Sequence, residues 1–308
     1  MKTLRSVLVG DCDHYFSPFI FGVQQGMSHL GHWHTQVNIR QDLHVIWNRI
    51  ADVRPDVLWG HMLLWAPQGS PRTEQLVELC IKAKRQWGTR VVIHDGDYKD
   101  RTRHAQDISS WCALALCNHK FDRSAWKIPA LHWPYFAFAQ DAIAPADSAL
   151  GLGDKLFFAG QVIRGDATYG ARTQLLDEVS ARGVPLRVQD PADGNTLFRT
   201  AAIAASAQAV LGFGRPGVDG WVDTRVFQYI SAGGILLHDD VGGYFEPWVH
   251  YVPYASSDAS SVVESMDRLC KMSTSEQMSI RTRGFAHGQN NHSSVVRCLQ
   301  VLQKLGLL

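Results

Sequence analysis

The stretch 211–240 reads LGFGRPGVDGWVDTRVFQYISAGGILLHDD. An apolar run ends at Leu211, a glycine-rich segment follows, and at Asp223 the pattern turns helical. Asp223 is a good N-cap, because its carboxylate can accept from a backbone N–H that the first helical turn leaves without a partner. Thr224 opens the helix and Arg225 falls in its first turn. Gly233 and Gly234 close it, and Ile235, Leu236 and Leu237 return as a buried strand. Strand, glycine loop, helix and strand make one repeat of an α/β sheet. A helix start presents free N–H groups and positive potential, and an arginine there adds paired donors, which suits a diphosphate.

The same alternation extends in both directions. In the first half, β-rich runs at 5–10, 35–39, 56–61, 90–95, 113–118 and 131–136 alternate with helical stretches near 18–30, 42–53, 71–87 and 122–126. Runs such as VLVG and RVVIHD are apolar throughout, as strands covered on both faces must be. Residues 139–154, AQDAIAPADSALGLGD, read as a linker. Beyond it, strands are expected at 155–159, 186–189, 209–213, 235–238 and 250–253, and helices at 171–182, 196–207, 224–232 and 260–272. The expected fold is α/β. It has two Rossmann-like doubly wound domains facing a cleft, over 1–140 and 155–308, with a helical C-terminal tail. Ligands of such sheets bind beyond the carboxyl ends of the strands, so residues that follow a strand are the first candidates for function.

Composition narrows the classes. A chain of 308 residues suits two domains, and 45% hydrophobic with 19% charged residues is ordinary for a globular protein. A net charge of +1 gives no general attraction to polyanions, although Lys82, Lys84, Arg85 and Arg90 cluster, as do Lys99, Arg101 and Arg103. The cysteines at 12, 80, 112, 117, 270 and 298 have no zinc-ligand spacing, and several sit in apolar runs. A reducing cytoplasm is the expected compartment. No membrane span is expected, because no apolar run approaches the roughly 18 residues a spanning helix needs, and the opening MKTLRSVLVGDCD is too short in its apolar part for a signal peptide.

The segment DTRVFQYISAGGILLHDD resembles the nucleotide-binding signature of GT-B glycosyltransferases of the spore-maturation (spore-coat) group. The similarity runs from Phe157 to about Asn291. Phe157 to Gly160 followed by Arg172 resembles the strand–Gly–Arg opening of the second domain, and Tyr244-Phe245-Glu246 the segment after the signature strand. The region 284–292 is similar to the family's closing helices. The resemblance implies transfer of a sugar, hexosyl or pentosyl, from a nucleotide-diphosphate sugar to an acceptor hydroxyl. It implies that Gly160, Arg164, Arg172 and Arg225 line the diphosphate, with Asp223 and Thr224 at the signature helix. Where the family has a glutamate for the ribose hydroxyls this chain has Gln228, which can still accept a hydrogen bond but without charge. That departure keeps a non-catalytic nucleotide-sugar-binding protein in view. A sugar-nucleotide epimerase, needing the same clamp and no separate acceptor, is the other alternative.

Candidates for proton transfer lie in the first half. Asp11, Asp13 and His14 follow the first strand, and Asp95 and Asp97 follow RVVIH. A carboxylate or imidazole there can take the acceptor's proton. Asp95-Gly96-Asp97 also resembles the DxD metal motif of the other glycosyltransferase fold, GT-A. The C-terminal resemblance opposes that, and neither a required metal nor a tightly bound cofactor is expected. The pair His32 and His34 has no acidic or Cys companion for a metal. Gly212, Gly214 and Gly217 with Asp239 or Asp240 fit a dinucleotide fingerprint, but Pro216, Asp219 and Gly220 delay the helix beyond where that fingerprint places it. The acceptor is open: a small molecule, glycan, protein or modified DNA base, the last needing a basic channel.

Overall fold

The computed structural model describes residues 2–12, 18–61, 71–95, 108–117, 127–133, 138–160, 162, 170–189, 197–214 and 222–308. The chain divides into two compact units, Met1–Phe136 with Ser294–Leu308, and Ala137–Ser293.

In the first unit β1 (Arg5–Gly10), β2 (Trp33–Asn38), β3 (Val57–His61), β4 (Arg90–Asp95), β5 (Leu114–Cys117) and β6 (Ala130–His132) form one sheet. Their order is β2-β1-β3-β4-β5-β6, with every pairing parallel. Its helices are α1 (Pro18–His29), α2 (Leu43–Val53) and α3 (Pro71–Trp87). The apolar runs decide this arrangement. Val7, Val9, Leu58, Val91 and Ile93 are covered by Ile46 and Ile50 of α2 and by Leu76, Cys80 and Ala83 of α3. Leu8, Trp59, Val92 and Leu114, which alternate with them, are just as buried, so both faces of the sheet are dry.

The second unit repeats the plan. Strands β7 (Leu156–Ala159), β8 (Leu186–Gln189), β9 (Ala209–Leu211), β10 (Leu236–His238) and β11 (Val252–Pro253) are all parallel, in the order β11-β10-β9-β7-β8. Around them lie α4 (Gly170–Ala181), α5 (Leu197–Ser206), α6 (Thr224–Ser231), α7 (Ala259–Lys271) and α8 (Thr274–His292). Chain order reverses between β1 and β3 in one sheet and between β7 and β9 in the other, and crevices at such reversals are where open α/β sheets take ligands.

The linker expected at 139–154 is strapped down. Gln140 Nε2 donates to the carbonyl of Ser231 at 2.6 Å, and Gln289 Nε2 donates to that of Phe138 at 2.9 Å. Gly233, at φ 81°, ends α6 in the left-handed region, and Ile143 of the linker occupies the place where a side chain at 233 would go. The tail divides after α8, and α9 (Ser294–Lys304) packs on α1 in the first unit. The helix expected at 122–126 lies outside the described residues. Among the described residues no helix is long and apolar enough to cross a membrane.

Candidate active site

At the carboxyl ends of β7, β9 and β10 the second unit gathers residues from six separate segments. Asp223 caps α6, its Oδ1 accepting from the Arg225 N–H at 2.8 Å, while its Oδ2 lies 3.3 Å from Arg225 Nη1. One carboxylate thus starts the helix and holds the guanidinium that follows it. Arg225 reaches the end of β7. Its Nη1 is 3.5 Å from where a Cβ on Gly160 would sit, and that position already lies 2.7 Å from the Phe158 ring. Any larger residue at 160 collides there, so the close approach requires glycine.

Arg172, in the first turn of α4, comes to the same place. Its guanidinium carbon lies 5.7 Å from the centre of the Phe158 ring and 5.5 Å from that of Phe213, and the two rings meet edge to face at 5.2 Å. Two arginines, a bare strand end and the start of α6 therefore converge on one patch, which is chemistry for a dianion.

The glycine loop after β9 is fixed by Asp239. Its Oδ1 accepts from the N–H of Gly214 at 2.7 Å and of Asp240 at 2.9 Å, and its Oδ2 accepts from Ser256 Oγ at 2.9 Å. The His238 ring nitrogen Nδ1 lies 3.0 Å from Oδ1. Burial favours the neutral acid, but His238, the Gly214 N–H and the Ser256 hydroxyl outweigh it and hold the carboxyl below its ordinary range. Tyr254 closes the group by donating to the carbonyl of Gly212 at 2.8 Å, and burial first, then Asp239, push its phenol up. The depressed carboxyl sets a sign. Its stabilisation is fully present above the ordinary aspartate value of about 3.9 and is lost as pH falls through the lower folded value. We expect the stability gap between wild type and Asp239→Asn, measured by urea unfolding, to be widest near neutrality and to close below about pH 3.9. A gap that stays constant down the titration removes the carboxylate from this role.

The signature helix is held from behind by the segment after β10. Phe227 meets Tyr244 and Phe245 with ring centroids 5.7 Å apart in each case, and Gly242 packs against Val222. Gln228 is 7% exposed and its Nε2 is buried without a hydrogen-bond partner.

Of the residues expected at this site, the structure brings together Gly160, Arg172, Asp223, Thr224 and Arg225, with Gln228 one turn into the same helix. Arg164 lies outside the described residues, as do Gly217 and Gly220. In the first unit Asp11 follows β1 and is 5% exposed, with Arg40 Nη2 on its Oδ2 at 2.6 Å and its Oδ1 buried without a partner. Asp95 ends β4; Asp13, His14 and Asp97 lie outside the described residues. His32 and His34 have structural duties: Nδ1 of His32 accepts from the Leu4 N–H at 3.4 Å, and Nδ1 of His34 lies 2.7 Å from Ser6 Oγ. Burial pushes His34 down to about 4. Among the described residues no group of three His, Cys, Asp or Glu is placed to hold a metal. Lys84 serves the carbonyls of Ser109 and Ser110, and Lys82 lies over the Trp47 ring at 3.9 Å; the 99–103 cluster is outside the described residues. Sequence reasoning missed Phe158, Phe213, Tyr254 and Ser256, which no spacing links to the signature.

Two parallel α/β units in series, the second with its site at a strand reversal, constitute the GT-B fold of glycosyltransferases. Residues 177–303 match the family model described as glycosyl transferase-like. The Anabaena protein HepE, solved in complex with UDP-glucose, superposes with a TM-score of 0.64 at 9% identity, covering 99% of this chain and 100% of its own. The DNA-modifying β-glucosyltransferase, solved with and without uridine diphosphoglucose, gives 0.60 at 8% identity, with 99% and 100% covered. Sucrose-phosphate synthase from Thermosynechococcus elongatus gives 0.61 at 8% identity, with 98% and 99% covered. No curated protein sequence matches significantly. The dinucleotide alternative fails on local geometry, because the helix after the glycine loop starts only at Thr224.

Proposed function

We propose that this protein is a glycosyltransferase that moves a sugar from a nucleoside-diphosphate sugar to an acceptor hydroxyl. The observation that carries the reading is Arg225, held by Asp223 at the start of α6 and brought against Gly160 beside Arg172 and Phe158. The diphosphate lies on this patch, where two guanidinium groups and the first turn of α6 stabilise the charge that grows on it as the glycosidic bond breaks. Within the class, the order of residues from Phe157 to Asn291 supports a place near the spore-coat group. The donor to try first is UDP-glucose, the ligand of HepE and of the DNA-modifying enzyme, and turnover of it would be transfer of a hexosyl group. No metal takes part in this reading, since two arginines supply the positive charge. Its six cysteines, all free thiols, support work in the cytoplasm.

The acceptor hydroxyl is activated by the first unit, where Asp11 and Asp95 stand at strand ends. Melting curves with UDP, UDP-glucose, GDP- and TDP-sugars and NAD(P) test the reading. At a hundred times its dissociation constant a ligand adds about 2.7 kcal/mol to stability. We expect one nucleoside-diphosphate sugar to raise the melting temperature and NAD(P) to leave it unchanged. A response to NAD(P) alone, or to nothing in the panel, rejects the proposal. Binding of a donor with no turnover on any acceptor class favours the non-catalytic reading, to which Gln228 with its unpartnered Nε2 lends support.

A further inference from the structure

Arg283, His287 and Asn291 recur every fourth residue along α8 and so share one face of it. Through His287 that face meets the segment 244–250, YFEPWVH, which backs the signature helix inside the second unit. His287 Nε2 lies 2.9 Å from the Tyr244 carbonyl. A carbonyl only accepts, so that nitrogen carries a proton and donates it. The His250 ring stacks on the His287 ring, with centroids 4.4 Å apart and 29° between the planes. Its Nδ1 accepts from the Glu246 backbone N–H at 3.0 Å. A backbone N–H only donates, so Nδ1 of His250 holds a lone pair and the neutral ring keeps its proton on Nε2. The same turn is closed a second time by the His250 N–H, which donates to the Glu246 carbonyl at 2.9 Å.

Phe245 sits among these rings, 6.3 Å from His250, 5.4 Å from His287 and 5.3 Å from His292. On its other side it meets Phe227 of α6, two residues beyond Arg225. A proton on Nδ1 of His250 would set a donor against the Glu246 N–H, so the bond is lost and the ring must turn away. The ring leaves its stack on His287, the turn loses its side-chain closure, and Phe245 loses its support. The titratable and charged groups that face His250 are His287 and Arg283 of α8 and Glu246 of its own turn. Burial first, then His287 and finally Arg283 hold its imidazolium below the ordinary range, and Glu246 only partly opposes them. The contribution of the neutral ring is therefore complete above the ordinary histidine value of about 6.5 and is lost as pH falls through the lower folded value.

We infer that His250 is an acid-sensitive latch on the aromatic segment behind α6, and that its protonation weakens binding of the donor diphosphate. His250 touches no ligand; it is a positioning residue, acting through Phe245 and Phe227 on the helix that carries Arg225. The link to the donor rests on the glycosyltransferase reading, whereas the latch itself does not.

The latch is measured first without any ligand. Resonances of 15N-labelled histidine, assigned through His250→Asn, give the midpoint of His250 and its tautomer. We expect Nε2–H above that midpoint and loss of hydrogen-exchange protection at the Glu246 amide below it, after correction for the intrinsic effect of pH. A neutral ring protonated on Nδ1, a ring that does not titrate before the protein unfolds, or unchanged Glu246 protection overturns the inference. Calorimetric titration with UDP-glucose, whose phosphates keep their charge over this range, then reads the donor site. Wild type is expected to bind about tenfold more weakly below the midpoint than above it. His250→Asn, whose Oδ1 can accept from the Glu246 N–H but takes no proton, is expected to bind equally on both sides, and His250→Leu weakly on both. Wild-type affinity that is level across the midpoint, or an equal fall in wild type and His250→Asn, also overturns it. If wild type binds no nucleotide sugar at any pH, the transferase reading falls, and the Glu246 amide decides the latch by itself.

Discussion

Arg225→Ala is expected to weaken binding of the nucleoside diphosphate about 10- to 100-fold without lowering the melting temperature of the free protein. The magnitude follows from the bond that is lost. A hydrogen bond between charged partners contributes about 1.5–3 kcal/mol, and each 1.4 kcal/mol is a factor of about ten. The side chain of Arg225 is 35% exposed, so water screens part of the interaction and the upper end of the range is not reached. Stability is spared because the guanidinium is partly exposed, and the Asp223 cap on the Arg225 backbone N–H does not depend on the side chain that is removed. Asp223→Ala separates the two effects. It removes the helix cap, worth about 1 kcal/mol, and also frees the arginine, so it is expected to lower both stability and affinity. Calorimetric titration with UDP and UDP-glucose measures the first variant, and unfolding curves measure the second. Arg225→Lys recovers only part of the loss, since an ammonium cannot give paired donors to two phosphate oxygens. Affinity within about twofold of wild type in Arg225→Ala would remove this residue from the site.

Gly26→Val is expected to destabilise the protein by about 3 kcal/mol and to release the C-terminal helix. Gly26 lies where α1 crosses α9, and a Cβ there would be 2.5 Å from Cys298 Sγ and 2.5 Å from the carbonyl oxygen of Ser294. One of those neighbours is backbone and cannot rotate away, and Cys298 is fully buried. Overpacking of this kind usually costs about 1–3 kcal/mol, and a branched side chain against fixed backbone stands at the top of that range. Ser294, which donates to Oε1 of Gln25 at 2.9 Å, loses its partner in the same displacement. Urea unfolding gives the energy, and hydrogen exchange of α9 shows whether the helix frees itself before the sheet opens. Gly26→Ala combined with Cys298→Ala should recover part of the loss, because one of the two collisions is then removed. Unchanged protection of α9 in Gly26→Val would mean that this crossing does not hold the helix.

Much of the fold was legible because each local signal had one physical reading. Runs such as RSVLVG and RVVIHD are apolar at every position, which fits a parallel sheet buried on both faces, and β1 and β4 have the bounds expected for them. Strand ends moved by a residue or two at β2, β5 and β9, since pairing with a neighbour, not composition, decides where a ladder stops. Asp223 could be assigned as a cap because an aspartate before an apolar-periodic run has that role as its commonest use, and its Oδ1 performs it. Half of the donor site was legible for the same reason. The rest was not, because Phe158, Phe213, Tyr254 and Ser256 carry no mark of function in their own segments, and Asp239 stood out only in a dinucleotide fingerprint that the late start of α6 rules out.

The sequence by itself determined two alternating α/β series, the strap between them, and the cap, arginine and glycines of the signature helix. All of these are local: they depend on which residues lie within a few positions of one another. Only the tertiary structure decided that the final helix returns to the first unit, since a helix with one apolar face can dock wherever a complementary surface exists, and Gly26 provides it. Only the register of parallel strands brought His61 beside His94, 33 positions further along the chain. Only the sheet order placed Gly160, Gly214 and Asp239 at one reversal. Contacts of that range depend on which strands become neighbours, and that choice is made by burial of the whole sheet rather than by any one segment.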